Sequence, residues 1–159
     1  MGKAFKYGDD VNTDVIFPGK YTYTIDDPKE MAKHAMEDLD PGFIDRVEEG
    51  DVIVAGKNFG MGSSREQAVT CLVYSGVSAV IAKSFARIFF RNAINNGLPA
   101  IIHPEAVEAI KDGDKVEVDL KNGLIKTSDK EFSFDPYPDR LLDILTTGSL
   151  IKWVKKKLT

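Results

Sequence analysis

The sequence predicts an α/β domain with a mainly parallel central sheet and a smaller antiparallel sheet, on three observations. Two crossovers follow one another in mid-chain: an apolar strand at 51–55 leads through a helix carrying Ala68, Cys71 and Leu72 to a buried strand at 78–82, and that strand leads through a helix at 84–96 to a strand at 99–102. Strands joined by helical crossovers in one sheet run parallel. Residues 115–119, 124–127 and 131–134 instead alternate apolar with polar and are separated by Asn122-Gly123 and Ser128-Asp129, so they form an antiparallel meander. Finally, 159 residues with 43% hydrophobic content make one core, and no linker or repeat interrupts them, so residues 1–159 are expected to form a single domain.

The remaining elements follow from local signals. A strand near 4–7 opens the chain, followed by the acidic loop Gly8-Asp9-Asp10-Val11-Asn12-Thr13-Asp14 and the apolar step Val15-Ile16-Phe17, which Pro18-Gly19 stops. Asp26-Asp27-Pro28 offers a cap with proline in the first turn, and Met31, Ala35 and Met36 share one face, predicting a helix that ends near 38. A second short helix starts at Pro41, carries Phe43, Ile44 and Val47, and is stopped by Gly50. Helices at 138–145 and 149–158 close the chain; the lysines between Lys152 and Lys157 complement the dipole of the last one.

Composition excludes several classes of function. A net charge of −4 with both signs interspersed gives no basic face for nucleic acid. The single Cys71 can make no internal disulfide and cannot by itself hold an iron–sulfur cluster or a structural zinc, so no metal or cofactor is expected in this chain. The longest apolar run, 77–82, is too short to cross a bilayer, and Met1-Gly2-Lys3-Ala4-Phe5-Lys6 has no apolar leader, so a cytoplasmic setting without membrane contact is expected.

Three segments carry the residues that chemistry would use. In Gly56-Lys57-Asn58-Phe59-Gly60-Met61-Gly62-Ser63-Ser64-Arg65-Glu66, glycines between a buried strand and a helix let backbone approach a ligand, helix N–H groups favour an anion, and Arg65 supplies a fork for a carboxylate. The segment departs from the dinucleotide fingerprint, the P-loop and the Gly-x-Ser-x-Gly elbow. It also reads, equally well, as a Ser63 to Glu66 capping box with a purely structural purpose. The loop Asp9 to Asp14 hints at calcium, but Val15 and Tyr21 stand where an EF-hand needs Gly and Glu, which leaves turn chemistry. In Ser84-Phe85-Ala86-Arg87-Ile88-Phe89-Phe90-Arg91-Asn92-Ala93, bulky residues alternate helically with Arg87, Arg91 and Asn92, a pattern for packing with solvated charges. His34 and His103 stand alone and receive no role, and Cys71 lies on an apolar helix face.

Taken together, Asn12-Thr13-Asp14-Val15-Ile16 with Pro18-Gly19, then Gly60-x-Gly62-Ser63-Ser64-Arg65-Glu66-x-Ala68, then 82–99 from Ala82-Lys83-Ser84 to Gly97-Leu98-Pro99, resemble the swivel domain of the aconitase superfamily in residues, order and spacing. The short chain resembles the free-standing small subunits of that superfamily's 3-isopropylmalate dehydratases and homoaconitases. The resemblance implies a swivelling β/β/α three-layer domain and reversible dehydration of a hydroxy-diacid, in leucine biosynthesis if the substrate is isopropylmalate. It further implies a large-subunit partner, in a heterodimer or heterotetramer, that holds a four-iron, four-sulfur cluster. It makes Ser63 the base that removes the carbon-bound proton, Ser64 and Arg65 ligands of substrate carboxylates, and Asp14 a group that orients an acid/base residue of the partner. Substrate choice would fall to the loop from Gly19 through Thr22 and Tyr23 to Thr24, where the uncharged Tyr23 favours an alkyl branch over a third carboxylate. Other alkylmalates such as 2,3-dimethylmalate or methylmalate, homoaconitate, and a non-catalytic anion-binding module are the alternatives.

Overall fold

A computed structural model describes residues 1–63 and 65–159. Its strands are β1 (Gly2–Lys6), β2 (Val52–Ala55), β3 (Ala79–Ala82), β4 (Ala100–Ile102), β5 (Lys115–Asp119), β6 (Leu124–Thr127) and β7 (Glu131–Ser133). The helices are α1 (Thr13–Ile16), α2 (Pro28–Ala32), α3 (Phe43–Arg46), α4 (Glu66–Ser75), α5 (Arg87–Asn95), α6 (Pro104–Ala109), α7 (Asp139–Thr147) and α8 (Leu150–Leu158). The order across the sheet is β4-β3-β2-β1-β5-β6-β7, with β1 to β4 parallel and β5 to β7 antiparallel.

The antiparallel strands are therefore not a separate sheet. Gly2 and Lys3 pair with Val116 and Lys115, which makes β1 the seam between the two halves. The whole sheet curls, so Val116 and Ile125 share a core with Ala4, Val52, Val54, Ala79 and Ile81. On the opposite face Ile53, Ala55, Val80 and Ala82 pack against Ala68, Val69, Leu72, Phe89 and Ala93 of α4 and α5. The side-chain period of two thus splits β2 and β3 between two cores, and all eight of their residues are buried. Continuous apolar runs are what a strand covered on both faces requires.

Three departures from the local pattern have tertiary causes. The helix expected to reach 38 stops at Ala32, because Met36 takes a positive φ and gives its N–H to Ile16 O at 2.7 Å. The helix expected from 84 begins at Arg87, because Phe59 N bonds Ser84 O at 3.1 Å and Ala86 N bonds Phe59 O at 3.0 Å, holding that stretch extended. Helix α6 was not expected; His103 caps it by accepting from Ala106 N at 3.0 Å, with Pro104 in its first turn.

Candidate functional site

The backbone of 58–63 leaves β2 and runs between two other segments as a stitched strip. On one side Gly60 N donates to Val11 O at 2.7 Å, and Thr13 N donates to Met61 O at 2.9 Å. The buried Thr13 adds its hydroxyl to Ser63 O at 3.0 Å. On the other side lie the Phe59 pairing with 84–86 and a bond from Asn58 N to Ser84 Oγ at 2.9 Å. All three segments that sequence analysis singled out therefore meet at one place. Gly60 makes the meeting feasible: its φ is +84°, and a Cβ there would overlap the buried Phe89 side chain.

The strip then turns into α4 with Arg65 at the N-cap, extended at φ −138° and without a side-chain cap bond. The capping box is thereby overturned, since Glu66 is the first helical residue and Ser63 lies upstream of the cap position. Asn12 caps α1 by accepting from Val15 N at 3.0 Å, which presents Asp14 in the first turn. The Arg65 Nη1 lies 2.5 Å from Asp14 Oδ1 and 3.5 Å from Phe17 O. Gly19 leaves room for this, because a Cβ there would come within 3.1 Å of both terminal nitrogens. The guanidinium is thus anchored from behind, its side chain only 19% exposed, while Asp14 is 62% exposed.

In front of Arg65 opens a cleft of about 530 Å³, lined by Gly60, Gly62, Ser63, Arg65, Arg87 and Arg91 among others. That volume suits a small organic ligand. Its lining holds three guanidinium groups and no carboxylate, and the N-termini of α4 and α5 both border it. Partial positive charge from two helix starts adds to the arginine charge, so the cleft is built for a small polyanion. Ser63 is exposed at its edge.

Of the expected site residues, the structure brings together Ser63, Arg65 and Asp14. Ser64 lies outside the described residues. Thr22 and Tyr23 do not line the cleft; Tyr23 follows the 3-10 turn Gly19–Tyr21 and is 98% exposed. Arg87, Arg91 and Asn92, read from the sequence as solvated charges, do line it. The signal for them was available in the i, i+4 spacing of the two arginines at a helix start, one loop away from the glycine segment.

The acidic loop does turn chemistry: Asp9 Oδ1 accepts from Lys57 N at 2.8 Å and Asp10 Oδ1 from Asn58 Nδ2 at 3.0 Å. Among the described residues no group of three His, Cys, Asp or Glu could hold a metal ion. Cys71 is fully buried, and burial pushes its thiol far above the ordinary range, so it stays a neutral core residue. No helix among the described residues is long and apolar enough to cross a membrane.

Residues 10–106, which include every segment that builds the cleft, match the family model of the aconitase C-terminal domain. The chain belongs to the aconitase C-terminal domain family. Family members cover it end to end: the 3-isopropylmalate dehydratase small subunit of Caldicellulosiruptor bescii is 56% identical over 99% of this chain and 95% of its own, and that of Aquifex aeolicus is 55% identical over 99% and 95%. A crystal structure of 3-isopropylmalate dehydratase from Methanocaldococcus jannaschii superposes with a TM-score of 0.91 at 51% identity, covering 99% of this chain and 93% of that one. The family fold expected from the three sequence segments is therefore the fold observed.

Proposed function

We propose that this chain is the small subunit of a 3-isopropylmalate dehydratase, a hydro-lyase that interconverts 2- and 3-isopropylmalate by dehydration and rehydration on the route to leucine. The end-to-end match to small subunits of that name carries the assignment; the cleft explains what the chain contributes. Dehydration needs a base for the carbon-bound proton, a means of making hydroxide leave, and charges that hold two carboxylates.

Ser63 supplies the base. A serine hydroxyl serves only where its alkoxide is stabilised, and Ser63 stands in a cleft lined by three arginines and bordered by two helix starts. Arg65, with Ser64 beside it in sequence, binds a substrate carboxylate. Asp14 is a positioning residue: it holds one side of the Arg65 guanidinium and, from its exposed position, can also orient an acid/base group of the large subunit. An iron–sulfur cluster in the large subunit would supply the Lewis acid for the departing hydroxyl; the donor set of this chain offers it no ligands among the described residues. The cleft is open, and the large subunit would close it and exclude water.

Two experiments follow. Tagged chain expressed in its own host should co-purify with a cysteine-rich partner; recovery of the chain alone, active or inactive, would contradict the small-subunit assignment. Tyr23, standing free on the loop that begins beside Arg65, is placed to meet the variable end of a substrate once the large subunit is docked. Its phenol ring offers no charge to a third carboxylate, so the wild type should prefer isopropylmalate to homoaconitate. Tyr23→Arg should move the ratio of kcat/KM toward homoaconitate by roughly 10-fold or more, the scale of one charged hydrogen bond. An unchanged ratio would remove Tyr23 from the substrate pocket.

A further inference from the structure

Arg65 cannot serve both ends of a diacid. One side of its guanidinium already faces Asp14 and Phe17 O, which leaves a single fork for a single carboxylate. Across the cleft stand Arg87, the first residue of α5, and Arg91, one turn further on the same helix face. Both are exposed, and among the described residues neither makes a salt bridge, in contrast to Arg65. The Asn92 amide lines the cleft next to them, and the α5 start has no side-chain cap to occupy its N–H groups.

We propose that Arg87 and Arg91 form a second carboxylate anchor, which takes the carboxylate of a hydroxy-diacid that Arg65 does not hold. The identity of the diacid rests on the dehydratase reading; the need for a second anchor rests on the geometry. Two carboxylates a few bonds apart repel one another, and a site that neutralises only one leaves the other poorly paired when water is excluded. Arginines on two elements, facing one cleft, separate the charges and fix the substrate's orientation relative to Ser63. The same two arginines also border an apolar groove lined by Phe85, Phe90, Ile94 and Leu141, so they form the ridge between groove and cleft. A ridge of that kind could instead meet acidic residues of the large subunit, and the test separates the two.

The test compares two ligands on the complex with its large subunit: 3-isopropylmalate, and 2-hydroxy-4-methylpentanoate, which is the same skeleton without the second carboxylate. Titration calorimetry of the wild type should show a strong preference for the diacid. In the Arg87→Gln, Arg91→Gln double variant the affinity for the diacid should fall roughly 10- to 100-fold, with the monoacid and the subunit affinity unchanged. The Arg87→Lys, Arg91→Lys variant keeps the charge without the fork and should fall between them. The proposal is overturned if both ligands weaken alike, or if the variant loses its large subunit while diacid affinity at saturating large subunit stays intact. A wild-type complex that prefers the diacid yet never dehydrates it would sink the dehydratase reading and leave the anchor standing.

Discussion

Ser63→Ala is expected to lower turnover of the assembled enzyme by roughly a hundred- to ten-thousand-fold, the range that a positioned base contributes, with KM close to that of the wild type. The split between the two constants is the informative part. The change deletes the proton acceptor, but the Arg65 guanidinium, its Asp14 partner and the α5 arginines all stay in place. Stability should hardly move. The described bond at Ser63 runs from Thr13 Oγ1 to the Ser63 carbonyl, which alanine keeps, and the helix that follows is capped at Arg65. Were the hydroxyl merely a helix cap, the same variant would lose about 1 kcal/mol of stability and keep its turnover. Thermal unfolding and steady-state kinetics on one preparation decide between these outcomes.

Arg65→Gln should produce the complementary result, a rise in KM of roughly 10- to 100-fold, because a neutral amide cannot replace a two-pronged charged contact to a carboxylate. Arg65→Lys should recover only part of that loss. The ion pair to Asp14 disappears in the glutamine variant, but Asp14 is largely exposed and returns to water, so the cost in stability should stay within the 0 to about 1 kcal/mol of surface pairs. A KM unchanged in Arg65→Gln would mean that Arg65 serves Asp14 alone.

How far the molecule could be read from its sequence differs from element to element. The parallel half of the sheet was legible because Val52 to Ala55 and Ala79 to Ala82 are apolar without interruption, the mark of strands covered on both faces. The meander was legible from its turns, yet its union with the parallel strands through Gly2 and Lys3 was not, since pairing across the whole chain length leaves no local trace. Helix ends failed for the same reason: the N–H of Met36 is claimed by Ile16, and the stretch before Arg87 is claimed by Phe59. Short α6 escaped notice because six residues carry little periodicity, and its cap is a histidine rather than the usual Ser, Thr, Asp or Asn.

The site divides along the same line. Glycines followed by serines and an arginine announced an anion-binding turn, and Gly60 proves to be required by the contact with Phe89. The Asp14 to Arg65 pair could not be seen, because nothing in either segment alone indicates that α1 delivers its carboxylate to the start of α4. Arg87 and Arg91 looked like solvated charges because a helical pattern shows which face is polar without showing what that face looks upon.

The central claim is that this chain holds half of a dehydratase site, with the proton acceptor and carboxylate-binding charges but without the metal. The most direct measurement is the absorbance of the unsaturated diacid formed from 3-isopropylmalate, followed with this chain alone, with the iron-reconstituted large subunit alone, and with the two together. The account predicts product only in the mixture. Product from this chain by itself, or an inactive mixture in which the complex has formed, would contradict it.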